Sequence, residues 1–289
     1  MRIGRSWLSV VAAALVATSA WSQGTVSPQE VVTRACEAAG GVSNFRKLGF
    51  LRAEITSHEV TQDGQTASTN KVLVFNTEAI APVRLELPAL GVVAGDDGSG
   101  GWALVKGRPD ARPSTTVMVK RMVTADAFPL LLPCSLTWPG VAVTEVAPAQ
   151  LGDRPTWRLT VTLARNFFHT PQIATVWTVD VDRETYQVLR AESPYTDLGK
   201  GVVADGMRFS WGGFVTVAGV RVPTQQTVVG LDPLGQEKTH TRRDTVKWER
   251  LATEKTADLF ENPIPPEQRP RLPVGKPVNM PNNPPPPRP

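Results

Sequence analysis

The strongest constraint on this chain is a side-chain period of two that runs, with breaks, from about residue 50 to residue 250. In TWRLTVTLAR, Trp157, Leu159, Val161 and Leu163 share one side of an extended chain. In TVWTVDVD, Trp177, Val179 and Val181 share a side, with Thr178, Asp180 and Asp182 opposite. Alternation of this kind belongs to strands with one buried and one wet face, so Asp180 and Asp182 are expected in solvent. Strands are expected over about 50–60, 69–77, 83–87, 101–107, 142–147, 156–165, 173–182, 186–193, 203–211, 220–230 and 237–250. Asp63-Gly64 and Asp182-Arg183-Glu184-Thr185 supply turn chemistry between neighbours, which makes the set an antiparallel meander.

Little else is available to cover such a sheet. Ser27-Pro28-Gln29-Glu30 is a capping box with proline at the first helical position. Val31, Val32, Ala35, Cys36, Ala38 and Ala39 then form one apolar stripe, and Gly40-Gly41 stop the helix. A short turn from Ser43 brings Phe45 and Leu48 inward. Thr116 to about Leu136 has apolar residues at helical spacing, but Pro129 and Pro133 predict that it breaks into one or two short helices. A brief turn is expected at Thr256 to Phe260. The fold class expected is therefore mainly β (α+β), a curved antiparallel half-barrel sheet of about 11 strands covered by an N-terminal helix and short helices.

The two ends have their own chemistry. MRIGRSWLSVVAAALVATSAWSQ places Arg2 and Arg5 before an apolar run from Trp7 to about Ala20, followed by small residues. That is a secretory signal over 1–22, cleaved after Ala20 or Ser22; its apolar run is too short to span a bilayer, so no transmembrane anchor is expected in the mature chain. From Asn262, twelve of the 26 prolines follow in NPIPPEQRPRLPVGKPVNMPNNPPPPRP, so 263–289 reads as an extended, proline-rich tail, either a solvated terminus or a ligand for an envelope protein. Residues 23–262 form the folded domain, which is periplasmic or secreted, and soluble once the signal is gone.

Charge then excludes one class of function. The pI is about 9.3, but the signal and tail arginines and Lys276 account for more than the whole net charge of +4, leaving the folded part near −1. No basic face remains to replace phosphate counterions, so no nucleic acid is expected as a partner. Cys36 and Cys134 stand in no CxxC motif. In an oxidising compartment they form a disulfide or remain two buried thiols.

Four segments together resemble the LolA/LolB-like periplasmic lipoprotein-carrier superfamily: the helix before the first strand, WTVDVDRETYQVLRAES, FSWGGFVTVAGVRVPTQQTVV and TVKWERLATEKTADLFENP. The third is similar to that superfamily's aromatic strand, glycine-valine turn and proline-containing strand, and the fourth to its last strand and closing Leu-Phe-x-x-Pro. The likeness covers about residues 27 to 263. It implies a half-barrel around an apolar cavity, with a lipid or lipidated protein as partner. These motifs offer no position for the arginine with which such carriers hold their lid shut.

The same residues carry no catalytic signature. GDDGSGG (Gly95 to Gly101) lacks the Gly-Lys-Ser/Thr of a nucleotide loop and the glutamate of a calcium loop, and reads as a hairpin loop before Trp102. His58, His169 and His240 stand apart, with no zinc-helix spacing, and there is no Gly-x-Ser-x-Gly elbow. His169 reads as a rim residue. The chain is expected to have no catalytic residues, no metal and no cofactor. What remains is the inward face itself: Trp157, Leu159, Val161, Trp177, Val179, Met207, Phe209 and Trp211, with Thr224 and Gln226 where a plain core calls for aliphatics. That mixture predicts a cavity for a lipid, a lipoprotein acyl chain or another amphiphile. A non-catalytic sensor or protein-interaction module with a solid core is the alternative.

Overall fold

The computed structural model describes residues 26–77, 82–97, 101–110, 113–164, 167–168, 176–194, 196–197, 203–252, 256–265 and 267. The expected signal, His169, the middle of GDDGSGG and nearly all of the proline-rich tail lie outside these residues.

In chain order the elements are α1 (Pro28–Ala38), α2 (Val42–Lys47), β1 (Phe50–Val60), β2 (Thr66–Asn76), β3 (Val83–Leu87), β4 (Val92–Asp96), β5 (Gly101–Val105) and β6 (Arg108–Pro109). Then come α3 (Pro113–Leu130), β7 (Val141–Leu151), β8 (Arg154–Leu163), β9 (Val176–Asp182), β10 (Val188–Ser193), β11 (Thr196–Asp197) and β12 (Val203–Ala204). The last are β13 (Gly206–Val217), β14 (Val220–Leu231), β15 (Glu237–Leu251) and α4 (Ala257–Phe260). Thirteen strands form one antiparallel sheet in the order β6-β5-β4-β3-β2-β1-β15-β14-β13-β10-β9-β8-β7, and β11 pairs with β12 separately.

That order fixes the shape. Pairing of β1 with β15 joins two meanders, so β6 and β7 end up on opposite edges of the sheet while being consecutive in the chain. Laid flat, 13 strands would hold those edges roughly 58 Å apart. Helix α3, with 18 residues, reaches only about 27 Å. Yet Lys120 of α3 pairs with Asp96 on β4 while Phe128, about two turns on, meets Trp177 on β9, so the sheet curves and α3 crosses its concave side as a cover. The buried α3 residues Val119, Val123, Ala127 and Leu130 recur at three- and four-residue steps along the helix side that meets the sheet.

Three local features depart from expectation. Pro129 does not break α3, because it falls in the last turn, where only one internal hydrogen bond is lost. The segment Val92–Asp96, assigned no strand from sequence, is β4, the partner of β5. Its Gly95 lies under Trp102, where a Cβ would come within 2.7 Å of the indole ring. Trp102 thus stands on the convex face. There its indole N–H donates to Phe260 O at 3.2 Å, Arg84 donates to Leu259 O at 2.9 Å, and Phe260 and Ile264 are buried. The sheet is covered on both sides at this end, and the packed chain continues to Ile264.

Helix α1 starts as the capping box requires, with Ser27 Oγ accepting from Glu30 N. Its C-terminal end closes against the β13–β14 turn. Gly40 has φ +111°, and a Cβ there would sit 2.1 Å from Gly219 O, so glycine is needed for this approach. Arg221 N donates to Ala39 O at 2.8 Å across the same contact.

Candidate functional site

Register places all ten cavity candidates on the concave face. Trp157 lies opposite Val181, Leu159 opposite Val179, and Val161 opposite Trp177. Val179 faces Ala191, which faces Phe209, which faces Val228. Trp211 stands directly across from Gln226, and Thr224 and Met207 follow the same alternation.

Their surroundings differ from one end to the other. Leu159, Val161 and Val179 are fully buried, and Trp177 and Phe209 nearly so. Phe128 of α3 meets Trp177 edge-on at 5.3 Å, Trp177 stacks on Phe209 at 5.2 Å, and Phe167 and Phe168 complete an aromatic layer under the helix. Such pairs add about 1 kcal/mol each beyond the area they bury. Trp157, Met207, Trp211 and Thr224 are half-buried. The Thr224 hydroxyl donates to Gly213 O, and Arg183 lies 4.2 Å over the Trp157 ring.

Next to this apolar half runs a buried polar row that the sequence showed only in part. Ser57 Oγ donates to Asp244 Oδ1 at 2.6 Å, and Arg242 holds Asp244 Oδ2 at 3.1 Å. Asp126, projecting from α3, takes Lys71 Nζ at 2.6 Å and Arg242 Nη2 at 3.4 Å. His240 Nε2 lies 2.6 Å from Glu59 Oε1. Burial opposes the charge on Arg242, but Asp126, Asp244 and Glu59 outweigh it and raise its pKa. The cover is therefore tied to β2 and β15 by charge as well as packing.

Gln226 is the exception in this row. It is 2 % exposed and lies opposite Asp244 on one side and Trp211 on the other, yet neither its Oε1 nor its Nε2 has a partner among the described residues. The indole N–H groups of Trp157, Trp177 and Trp211 are buried and unpartnered as well. Other tryptophans are satisfied: Trp138 donates to Thr77 O at 2.8 Å and Trp248 to Pro223 O at 2.7 Å. Buried polar atoms are bonded in the great majority of cases, so this concentration on one face is specific.

A cleft opens beside Trp211, between α1, the Leu132-Pro133 loop, the Tyr186–Val188 turn and the β13–β14 hairpin. Its volume is about 30 Å³, room for a water molecule or two. Behind its wall, Cys36 and Cys134 are free, buried thiols. Cys36 Sγ donates to Pro133 O at 3.7 Å, and the adjacent Cys36 thiol, together with burial, pushes the Cys134 thiol up.

On the convex face, Asp180 and Asp182 are not solvated as the alternation suggested. Asp180 is 2 % exposed, held by Arg158 Nε at 2.8 Å and Arg190 Nη2 at 2.7 Å from the flanking strands. Asp182 accepts from the backbone N–H groups of Thr185 and Glu184, which holds its carboxyl below the usual range. Both are structural. Among the described residues no group of three or more His, Cys, Asp or Glu is placed to share a metal ion, and no helix is long and apolar enough to cross a membrane.

No family model matches the sequence and no curated protein does. Among solved structures it is similar to a DUF1329 family protein from Desulfovibrio piger, with a TM-score of 0.51 and 10 % identity over 81 % of this chain and 98 % of that one. What is shared is the fold. Also similar, at TM-scores of 0.48 and 0.49, are a LolA superfamily protein from Nitrosomonas europaea (11 % identity, 82 % of this chain, 98 % of that) and an outer membrane lipoprotein-sorting protein domain from Vibrio parahaemolyticus (8 %, 81 % and 100 %).

Proposed function

We propose that the protein is an exported, non-catalytic carrier that takes up a lipid, a lipoprotein acyl chain or another amphiphile on its concave face, without a cofactor, in the periplasm or outside the cell. One observation carries this reading. Gln226 is buried with both amide atoms unpartnered, next to the unpartnered Trp211 indole, where the bonded polar row meets the apolar strip. Each unmade bond costs about 1–3 kcal/mol. An amphiphile would repay that cost with a polar group near Gln226 and an acyl chain along the aromatic strip. The small cleft means that α3 or α1 must shift to admit it.

A second reading, a sensor or interaction module with a solid core, is favoured by the complete burial of Leu159, Val161 and Val179. Fatty acids brominated along the chain separate the two, because bromine quenches tryptophan on contact. The carrier reading expects micromolar brominated fatty acid to quench the full-length protein, with Trp177→Phe and Trp211→Phe each removing part of the effect. Unchanged fluorescence would leave the solid-core module.

A further inference from the structure

The cleft beside Trp211 has a chemical polarity of its own. Ala35, Ala39, Leu132, Phe214 and Pro223 give it apolar walls, and no carboxylate is among the described residues lining it. Its polar groups are mainly donors. The Arg221 guanidinium lies 3.9 Å over the Phe214 ring, with no carboxylate partner among the described residues. Arg34, on the same side, donates to Tyr186 Oη at 2.9 Å and pairs with Glu30, so its charge is already matched. Trp211 adds a buried indole N–H with no acceptor. Phe214 and Val215 remain exposed next to the opening, at 39 % and 43 %.

From this arrangement we infer that the cleft is the head-group end of the binding face, and that Arg221 selects amphiphiles whose polar end is an anion, a carboxylate or a phosphate. The inference rests on the carrier reading and narrows it. An anionic oxygen would find an unpaired guanidinium backed by an aromatic ring, a setting in which charge-assisted hydrogen bonds are stronger than neutral ones. A cationic head would meet Arg221 as a like charge, and a neutral one would gain no ion pair.

Chain-matched probes test it on the full-length protein: dodecanoate, dodecyl phosphate, dodecanol and dodecylamine, each displacing a fluorescent fatty acid. The expected result is that the two anions bind about tenfold more tightly than the alcohol, which is about 1.4 kcal/mol, and that the amine binds worst. Arg221→Gln should bring the anions down to the level of dodecanol while leaving dodecanol unchanged, and Arg221→Lys should keep most of the preference. Thermal melts of both variants should match the parent, since the Arg221 bond to α1 is made by its backbone N–H. Preference for only one of the two anions would still support the site and identify its source. Equal binding of all four, or a preference that survives Arg221→Gln, overturns this inference and leaves the carrier reading standing. Binding of none overturns both.

Discussion

Gln226 shows how one residue connects sequence and function. Its place on the inward face was legible, because TQQTVV alternates with the strand and puts Thr224 and Gln226 where aliphatics belong. Its missing partners were not, since they depend on which side chains the neighbouring strands present in register. Asp180 illustrates the same limit from the opposite side: alternation placed it outward correctly, but Arg158 and Arg190, which bury it, come from strands that only the sheet brings together. Because the Gln226 amide is unsatisfied without ligand, Gln226→Leu is expected to stabilise the ligand-free protein by about 1–2 kcal/mol. The check is a higher urea midpoint at unchanged slope. A loss of stability would mean that the amide is bonded in solution.

At the level of elements, long alternating strands announced themselves and short ones did not. VVAGD has no period of two, and its glycine is explained only by Trp102 lying across it. Pro129 signals a break in α3 from sequence alone, because nothing in the sequence says that the helix ends one residue later. The role of α3 as a cover follows from its contacts with strands far apart in the sheet, β4 and β9. Asp126 is the point at which that cover is fastened, with Lys71 and Arg242 beneath it. Asp126→Ala would leave two buried or half-buried cations short of a counter-charge, at a cost of about 3 kcal/mol. Hydrogen exchange should then quicken in α3 ahead of the central strands. Equal protection in variant and parent would show that packing by Val123, Ala127 and Phe128 alone holds the helix down.

For the whole molecule, the period of two, the scarcity of covering helices and the four family-like segments were enough to specify an open, curved antiparallel sheet. They did not specify the β1–β15 closure that sets its order, or the docking of Phe260 and Ile264 on the convex side, because both are pairings between residues far apart in sequence. The carrier reading turns on the concave face, where an aromatic strip and an unsatisfied amide meet, and on the cleft beside Trp211, to which Arg221 comes from the other side of β14. Native mass spectrometry of the full-length protein, purified from the cells that make it, tests that reading most directly. A population carrying added mass that dissociates as an acyl-bearing molecule and disappears after delipidation is the expected result. A single ligand-free mass, in a protein that also takes up no amphiphile at micromolar concentrations, would contradict it.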